Sequence, residues 1–368
     1  MGTQLKIPTT VEDLTSQWLT SALREGGVLA GGSVSAVRHE MLGEGAGFIG
    51  QLARLQLTYA GDAGDAPKTM IAKMPALDPG AREIAGLYGL YEREFRFYRD
   101  VASEVSFRTA RCYYSAGDAE KVEYVLLLED MGATGAPGDQ VAGCTAAHAA
   151  LALKQLAVHH AQWWNNPRLD AIPWMQPGVD LVNAAMTHAY PNAWEPVLAN
   201  FREHIADEVA AVFPEFGRRV SALIEPYRDG NLTMTHGDYR LDNMFFGKPG
   251  SGYELAVLDW QSPTKAWGAY DVAYFLYSNV DTETRRACEF DVLREYHRAL
   301  IAGGVTGYDY DTLVDDYIRS LLVSLGIWVV NAATLDVANE RGKALFDLFF
   351  DRLMAAIMDH DALSRLPA

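Results

Sequence analysis

The sequence predicts an α+β chain with a small β-rich N-terminal part and a larger, mainly helical C-terminal part. Three observations carry that expectation. Ala53, Leu55, Leu57 and Tyr59 alternate with Arg54, Gln56 and Thr58, the period of a half-buried strand. The turn-rich GDAGDAP (Gly61 to Pro67) then separates this run from the apolar Met70–Ala72, which makes a β-hairpin. From Ala142 onward, helical patterns dominate: Ala142 to Trp164, Trp194 to Tyr227, Arg285 to Ala302, and Tyr310 to the C-terminus. Between the two parts, Leu87, Tyr91, Glu94 and Tyr98 fall on one helical stripe, and Tyr124 to Leu128 reads as a short buried strand. The Gly- and Pro-rich MGATGAPGD (Met131 to Asp139) then marks a boundary, giving domains 1–130 and 131–368. No internal repeat or low-complexity tract is visible.

Composition excludes several functions. Of 368 residues, 48 are acidic and 31 basic, a formal charge of -17, so a nucleic-acid backbone would be repelled. The same acidity slightly favours a cationic substrate, although the solubility of an enzyme surface is the better account of it. A hydrophobic content of 49% supplies a real core and argues against disorder. Cys112, Cys144 and Cys288 form neither a disulfide framework nor a zinc pattern, which suits the cytoplasm. The longest uncharged stretch, Ser320 to Leu335, is short for a bilayer span and reads as a buried helix. The N-terminal MGTQLKIPTT shows no targeting signal, because Lys6 stands where a myristoylation motif wants Ser or Thr.

Reactive side chains concentrate in THGDYRLDNMFF (Thr235 to Phe246) and, after a short turn, ELAVLDWQ (Glu254 to Gln261). His236-x-Asp238-x4-Asn243 followed by Asp259 is the set of oxygen groups that phosphoryl transfer uses. One Asp accepts and orients an incoming hydroxyl, while an Asn and a second Asp hold Mg²⁺ against phosphates. Each residue alone could be a turn former. Together, beside a strand at Leu255–Leu258 that would deliver Asp259, they point to a site.

Upstream, Gly45-x-Gly47-x-x-Gly50 matches the glycine-rich pattern of both kinases and dinucleotide-binding folds. A dinucleotide fingerprint must open a helix, whereas here a strand follows, as under a phosphate-covering loop. Lys73 ends the strand MIAKM, where its ammonium would point toward whatever that loop covers. Glu94 shares the apolar stripe, and burying its carboxylate is costly unless a cation such as Lys73 meets it. The alternative tilts Glu94 to solvent beside Arg93 or Arg96. Glu129 and Asp130 end LLLED, where backbone groups could meet an adenine edge.

In order, the glycine loop, IAK, YEREFRFY, LLLED, THGDYRLDNMFF and VLDWQSPTKAWGAYDVAYFL resemble the aminoglycoside phosphotransferase and choline kinase superfamily over roughly residues 40–280. They are most similar to its ecdysteroid-kinase-like branch, including kinase-like regions associated with some acyl-CoA dehydrogenases. The resemblance implies a bilobal protein-kinase-like fold, with a nucleotide-binding N-terminal lobe, that uses ATP and Mg²⁺ to phosphorylate a hydroxyl of a small molecule. By position, Gly45, Gly47 and Gly50 would cover ATP and Lys73 would contact its phosphates. Glu94 would hold Lys73, Asp238 would be the catalytic aspartate with His236 bracing the loop, and Asn243 with Asp259 would bind metal. Asp271, in GAYDVAYF, would support the catalytic loop.

Where protein kinases carry Arg this chain has Gly237, and their DFG becomes Asp259-Trp260-Gln261. Eleven residues separate Asp259 from Asp271, too few for an activation segment and a protein-docking surface, which favours a small acceptor. Adjacent His159 and His160 point about 100 degrees apart on a helix and do not share a metal easily. Trp163, Trp164, Trp174, Met175 and Trp194 could line an acceptor pocket or pack as core. Two further readings are a pseudokinase that binds nucleotide without chemistry, and a metal-dependent hydrolase built on His236, Asp238 and Asp259. The acceptor and the oligomeric state are not legible.

Overall fold

The computed structural model describes residues 5–42, 50–334 and 340–368. The chain forms two compact units, one made of Met1–Ala136 with Gly247–Ser262 and the other of Pro137–Phe246 with Pro263–Ala368. The segment carrying Asp259, which the sequence reading groups with the C-terminal part, therefore belongs to the first unit.

In the first unit, helix α1 (Ser16–Glu25) is capped by Thr15, whose side chain accepts from the Trp18 N–H. A five-stranded antiparallel sheet follows, of β1 (Ser33–Leu42), β2 (Gly50–Ala60), β3 (Thr69–Pro75), β4 (Cys112–Asp118) and β5 (Glu123–Glu129), in the order β1-β2-β3-β5-β4. Period-two alternation decides its faces. Ala53 and Leu55, Met70 and Ala72, and Val125 and Leu127 join Leu19, Ala22 and Leu23 of α1 in one core. Lys73, out of phase with Ala72 and Met74, is on the opposite face between Leu52 and Leu126.

Two helices follow β3: α2 (Pro79–Leu87) and α3 (Leu90–Asp100). The single stripe from Leu87 to Tyr98 is thus divided. Gly89, at φ 62°, breaks the helix, and Leu87 ends α2 with 78% of its surface exposed. Tyr91, Glu94 and Tyr98 share the buried face of α3 as expected.

The second unit is mainly helical: α4 (Ala146–Trp163), α5 (Gly178–Ala184), α6 (Tyr190–Asn200), α7 (Asp207–Ile224), α8 (Ala269–Asn279), α9 (Thr282–Ala302), α10 (Tyr310–Thr334) and α11 (Glu340–Asp359). The expected helix from Trp194 to Tyr227 is interrupted by a 3₁₀ turn at Arg202–His204, where Phe201 is buried against Phe350 at 5.0 Å. Ser320 to Thr334 lies in α10, and among the described residues no helix is long and apolar enough to cross a membrane. Helix α4 packs on α9 and on the short strand Thr233–Thr235, and α8 packs on α10, so the segment leading into His236 is held from below.

Candidate functional site

In the first unit a lysine is pinned between two acids. Lys73 Nζ lies 2.8 Å from Glu94 Oε1 and 2.6 Å from Asp259 Oδ1, the latter 186 residues away in sequence. Burial alone would lower the Lys73 pKa, but the adjacent Asp259 and Glu94 charges outweigh it, so the ammonium is held above its ordinary range. Glu94, 1% exposed, is pushed up to about 7 by burial and by the Asp259 charge, against the pull of Lys73. The reading that tilts Glu94 toward solvent fails.

Asp259 is held by its neighbours. The preceding strand Leu255–Val257 is anchored by the Val257 N–H donating to Arg108 O at 2.8 Å. Trp260 is fully buried, stacks on Phe97 at 4.2 Å and donates its indole N–H to Val257 O. Asp259 itself adopts φ 62°, a left-handed conformation that costs energy for a side-chain-bearing residue and persists because the surroundings impose it. With Oδ1 on Lys73, Oδ2 accepts from Gln261 Nε2 at 3.2 Å.

The side chains of Glu129 and Asp130 are taken up by arginines. Both Glu129 carboxylate oxygens accept from Arg108, at 2.7 and 2.6 Å, and Asp130 accepts from Arg54 Nε at 2.8 Å and from the Gly132 N–H. Gly45 and Gly47 lie outside the described residues. Gly50 opens β2, where a Cβ would stand 3.0 Å from Met74 O, so the close strand approach explains the glycine.

In the second unit the strand Thr233–Thr235 leads directly into His236, Gly237 and Asp238. Gly237 adopts φ 79°, which disfavours any side chain and gives a backbone reason why arginine is not found here. The buried Asp271 carboxylate accepts from the backbone N–H groups of His236 at 2.7 Å and Gly237 at 2.9 Å. His160 Nε2 touches the same carboxylate at 3.3 Å, and its Nδ1 meets the Tyr296 hydroxyl at 2.7 Å. His159 contacts Met234 O and is kept neutral chiefly by burial, so neither histidine is placed as a shared metal ligand. His236 Nδ1 accepts from the Asp238 N–H at 3.2 Å.

Among the described residues three side chains donate to the Asp238 carboxylate. The Tyr274 hydroxyl reaches Oδ1 at 2.7 Å, while Arg240 Nε at 3.0 Å and Asn243 Nδ2 at 2.9 Å reach Oδ2. Burial would raise the Asp238 pKa, but Arg240 and Tyr274 bring it below the ordinary carboxylate value. Asn243 Nδ2 also donates to Asp238 O at 2.9 Å, so both of these bonds use the amide nitrogen. Arg240 is steadied by Gln140 and Asp242.

The residue set fits a known pattern: residues 44–303 match the model of the ecdysteroid kinase-like family, well over half of the chain. The chain belongs to the ecdysteroid kinase-like family. By sequence, no curated protein matches this family member. Among solved structures, a provisionally assigned aminoglycoside phosphotransferase from Ralstonia eutropha JMP134 aligns at TM-score 0.55 and 15% identity, covering 95% of this chain and 98% of that one. A mutant aminoglycoside 2′-phosphotransferase-IIIa in complex with GDP aligns at TM-score 0.53 and 15% identity, over 94% and 97% of the two chains. Choline kinase from Cryptosporidium parvum aligns at TM-score 0.51 and 9% identity, over 90% and 89%. These likenesses establish that the family member has the kinase-like fold.

Sequence reasoning missed Arg240, Tyr274 and the place of His160 beneath Asp271. Arg240 lies inside the quoted motif, and its spacing to Asp238 was the available signal. Tyr274 and His160 are distant in sequence, and only the packing of α8 and α4 brings them in. Trp163, Trp174 and Met175 are buried as core.

Proposed function

We propose that this chain is an ATP-dependent phosphotransferase that phosphorylates a hydroxyl group of a small molecule in the cytoplasm, with Mg²⁺. The observation that carries the reading is the convergence of Lys73, Glu94 and Asp259: one ammonium held by two acids, more negative than positive. Such a set retains an anionic oxygen face for a cation while the ammonium is aimed by Glu94. Each in its own unit, the Asp259 carboxylate and the Asn243 amide oxygen are hard ligands of the kind Mg²⁺ takes. When bound, Mg²⁺ would neutralise charge between phosphate oxygens.

The chain's own residues do the rest. Lys73 binds phosphate oxygens with its ammonium, and Glu94 keeps it from turning away. Asp238 orients the acceptor hydroxyl. The acceptor oxygen bonds to the γ-phosphorus, the bond to the bridging oxygen breaks onto ADP, and the hydroxyl proton passes to Asp238. A carboxylate with a lowered pKa is a weak base, which suits a loose transition state in which the proton moves late and positioning does most of the work. The names of the fold relatives, an aminoglycoside phosphotransferase and a choline kinase, and the GDP complex of one of them, support a nucleotide donor and a small acceptor.

The test is ATP consumption against hydroxylated compounds, including amino sugars, choline, sterols and hydroxyacyl-CoA. Products are identified by a mass gain of about 80 Da, one phosphoryl unit. Activity should vanish with EDTA, return with Mg²⁺, and be abolished in a folded Asp238→Ala variant. Near wild-type turnover in that variant would remove the mechanism.

A further inference from the structure

A carboxylate offers about four lone-pair positions, two on each oxygen. On Asp238, Arg240 and Asn243 take both positions of Oδ2, and the Tyr274 hydroxyl takes one of Oδ1. Among the described residues, one position on Oδ1 is left. The Asp238 side chain is 21% exposed although Tyr274 beside it is only 5% exposed, so the carboxylate is reachable by an incoming molecule while the phenol is not.

Tyr274 cannot readily swing aside to open a second. Its ring lies near parallel to Tyr270, with centroids 6.1 Å apart, and to Trp328 at 6.2 Å, and it meets the edge of Tyr277 at 5.8 Å. Trp328 is itself fixed by donating its indole N–H to the Tyr277 hydroxyl at 2.7 Å. Burial and the neighbouring Asp238 charge raise the Tyr274 pKa well above its ordinary value, which keeps the phenol a neutral donor.

We infer that Tyr274 is a positioning residue which, by occupying one lone pair of Asp238 Oδ1, leaves a single seat for the nucleophile and so favours an alcohol over water as phosphoryl acceptor. The inference rests on the reading of Asp238 as the group that orients the acceptor. A lone seat fixes one direction of approach. An alcohol anchored elsewhere by its carbon skeleton can be held along that direction, whereas water has no second anchor and reacts only by chance orientation. Freeing the second lone pair gives water another approach and gives the alcohol a wrong one.

The test replaces Tyr274 by Phe in the full chain, which keeps the ring and its stacking. The probe is Mg-ATP with water as the only acceptor, read as ADP release, followed by the same assay with whichever alcohol wild type phosphorylates. Release of ADP per phosphorylated product should rise roughly tenfold in Tyr274→Phe, the equivalent of one hydrogen bond. Water-dependent release in the variant should disappear when Asp238→Ala is added. Thermal melting and Mg-ATP affinity near wild type verify the fold. Should the variant melt early, Trp328→Phe offers a second route, since it removes the indole N–H bond to Tyr277 and reduces the ring stacked on Tyr274, and the loosened Tyr274 should raise the same ratio to a smaller degree.

A separate readout needs no nucleotide. A protected tyrosine hydroxyl proton should be visible by NMR in wild type and lost in both Tyr274→Phe and Asp238→Ala. An unchanged ratio of ADP to product in a folded Tyr274→Phe variant, or ADP release that survives Asp238→Ala, would overturn the inference. If wild type shows no Asp238-dependent turnover of ATP with water or any alcohol, it is the proposed function that fails.

Discussion

Replacing Glu94 by Gln separates what the buried acid costs from what it does. Glu94 is almost wholly buried, and its pKa moves from the usual 4.5 to about 7. Between those values the folded protein keeps a proton that the unfolded chain has released. Stability therefore falls as pH rises from about 4.5 to about 7 and levels off above. At about 1.4 kcal/mol per tenfold change in proton affinity, the loss is on the order of 3 kcal/mol. Gln has the same shape and no charge, and Lys73 keeps Asp259 as a partner, so no cation is left unpaired.

Glu94→Gln should accordingly gain on wild type as pH rises from 5 to 8, by a few kcal/mol in all, even though Lys73 loses one of its two acids. The assay is hydrogen exchange by mass spectrometry on peptides from β3 and α3, corrected for the intrinsic pH dependence of exchange. The same variant should lose about tenfold or more in kcat/KM, because the ammonium is then aimed by Asp259 alone rather than held between two acids. A stability difference that does not change with pH, or one that turns against the variant at pH 8, would refute the reasoning.

Three further outcomes follow from the second unit. Asp271→Asn leaves one oxygen to serve two backbone N–H groups and His160, and should cost about 2–3 kcal/mol in thermal or urea unfolding, with kcat falling more than the KM for ATP changes. Gly237→Ala forces a side chain into φ 79° and should cost about 1–2 kcal/mol, with loss of turnover out of proportion to the fall in melting temperature. Asn243→Ala removes both a donor to Asp238 and the amide oxygen, so a Mg²⁺ titration should show half-maximal activity shifted to higher metal concentration.

Much of the candidate site was legible in the sequence because it is local. His236, Gly237, Asp238 and Asn243 belong to one short loop whose spacing is set by the backbone, and Asp259 follows an apolar strand that delivers it. Lys73 and Glu94 were legible for another reason: a carboxylate in an apolar stripe demands a cation, and only certain placements supply one. Two elements misled. The stripe from Leu87 assumed one helix where Gly89 makes two, since glycine's left-handed freedom interrupts a pattern without changing it. Helix α8 was not visible as a helix because it is buried on nearly every side and so carries no amphipathic period.

Residue order therefore determined the fold class, the family and the choice of candidate site residues, for each depends on short-range spacing and polarity. Tertiary packing alone decided how those groups are tuned. Trp260 on Phe97 holds Asp259 in a left-handed backbone, His160 stands under Asp271, and Tyr274 crowds one oxygen of Asp238. Those contacts join side chains many turns or strands apart. Their distances arise from how helices and sheets stack, which no local pattern of residues encodes.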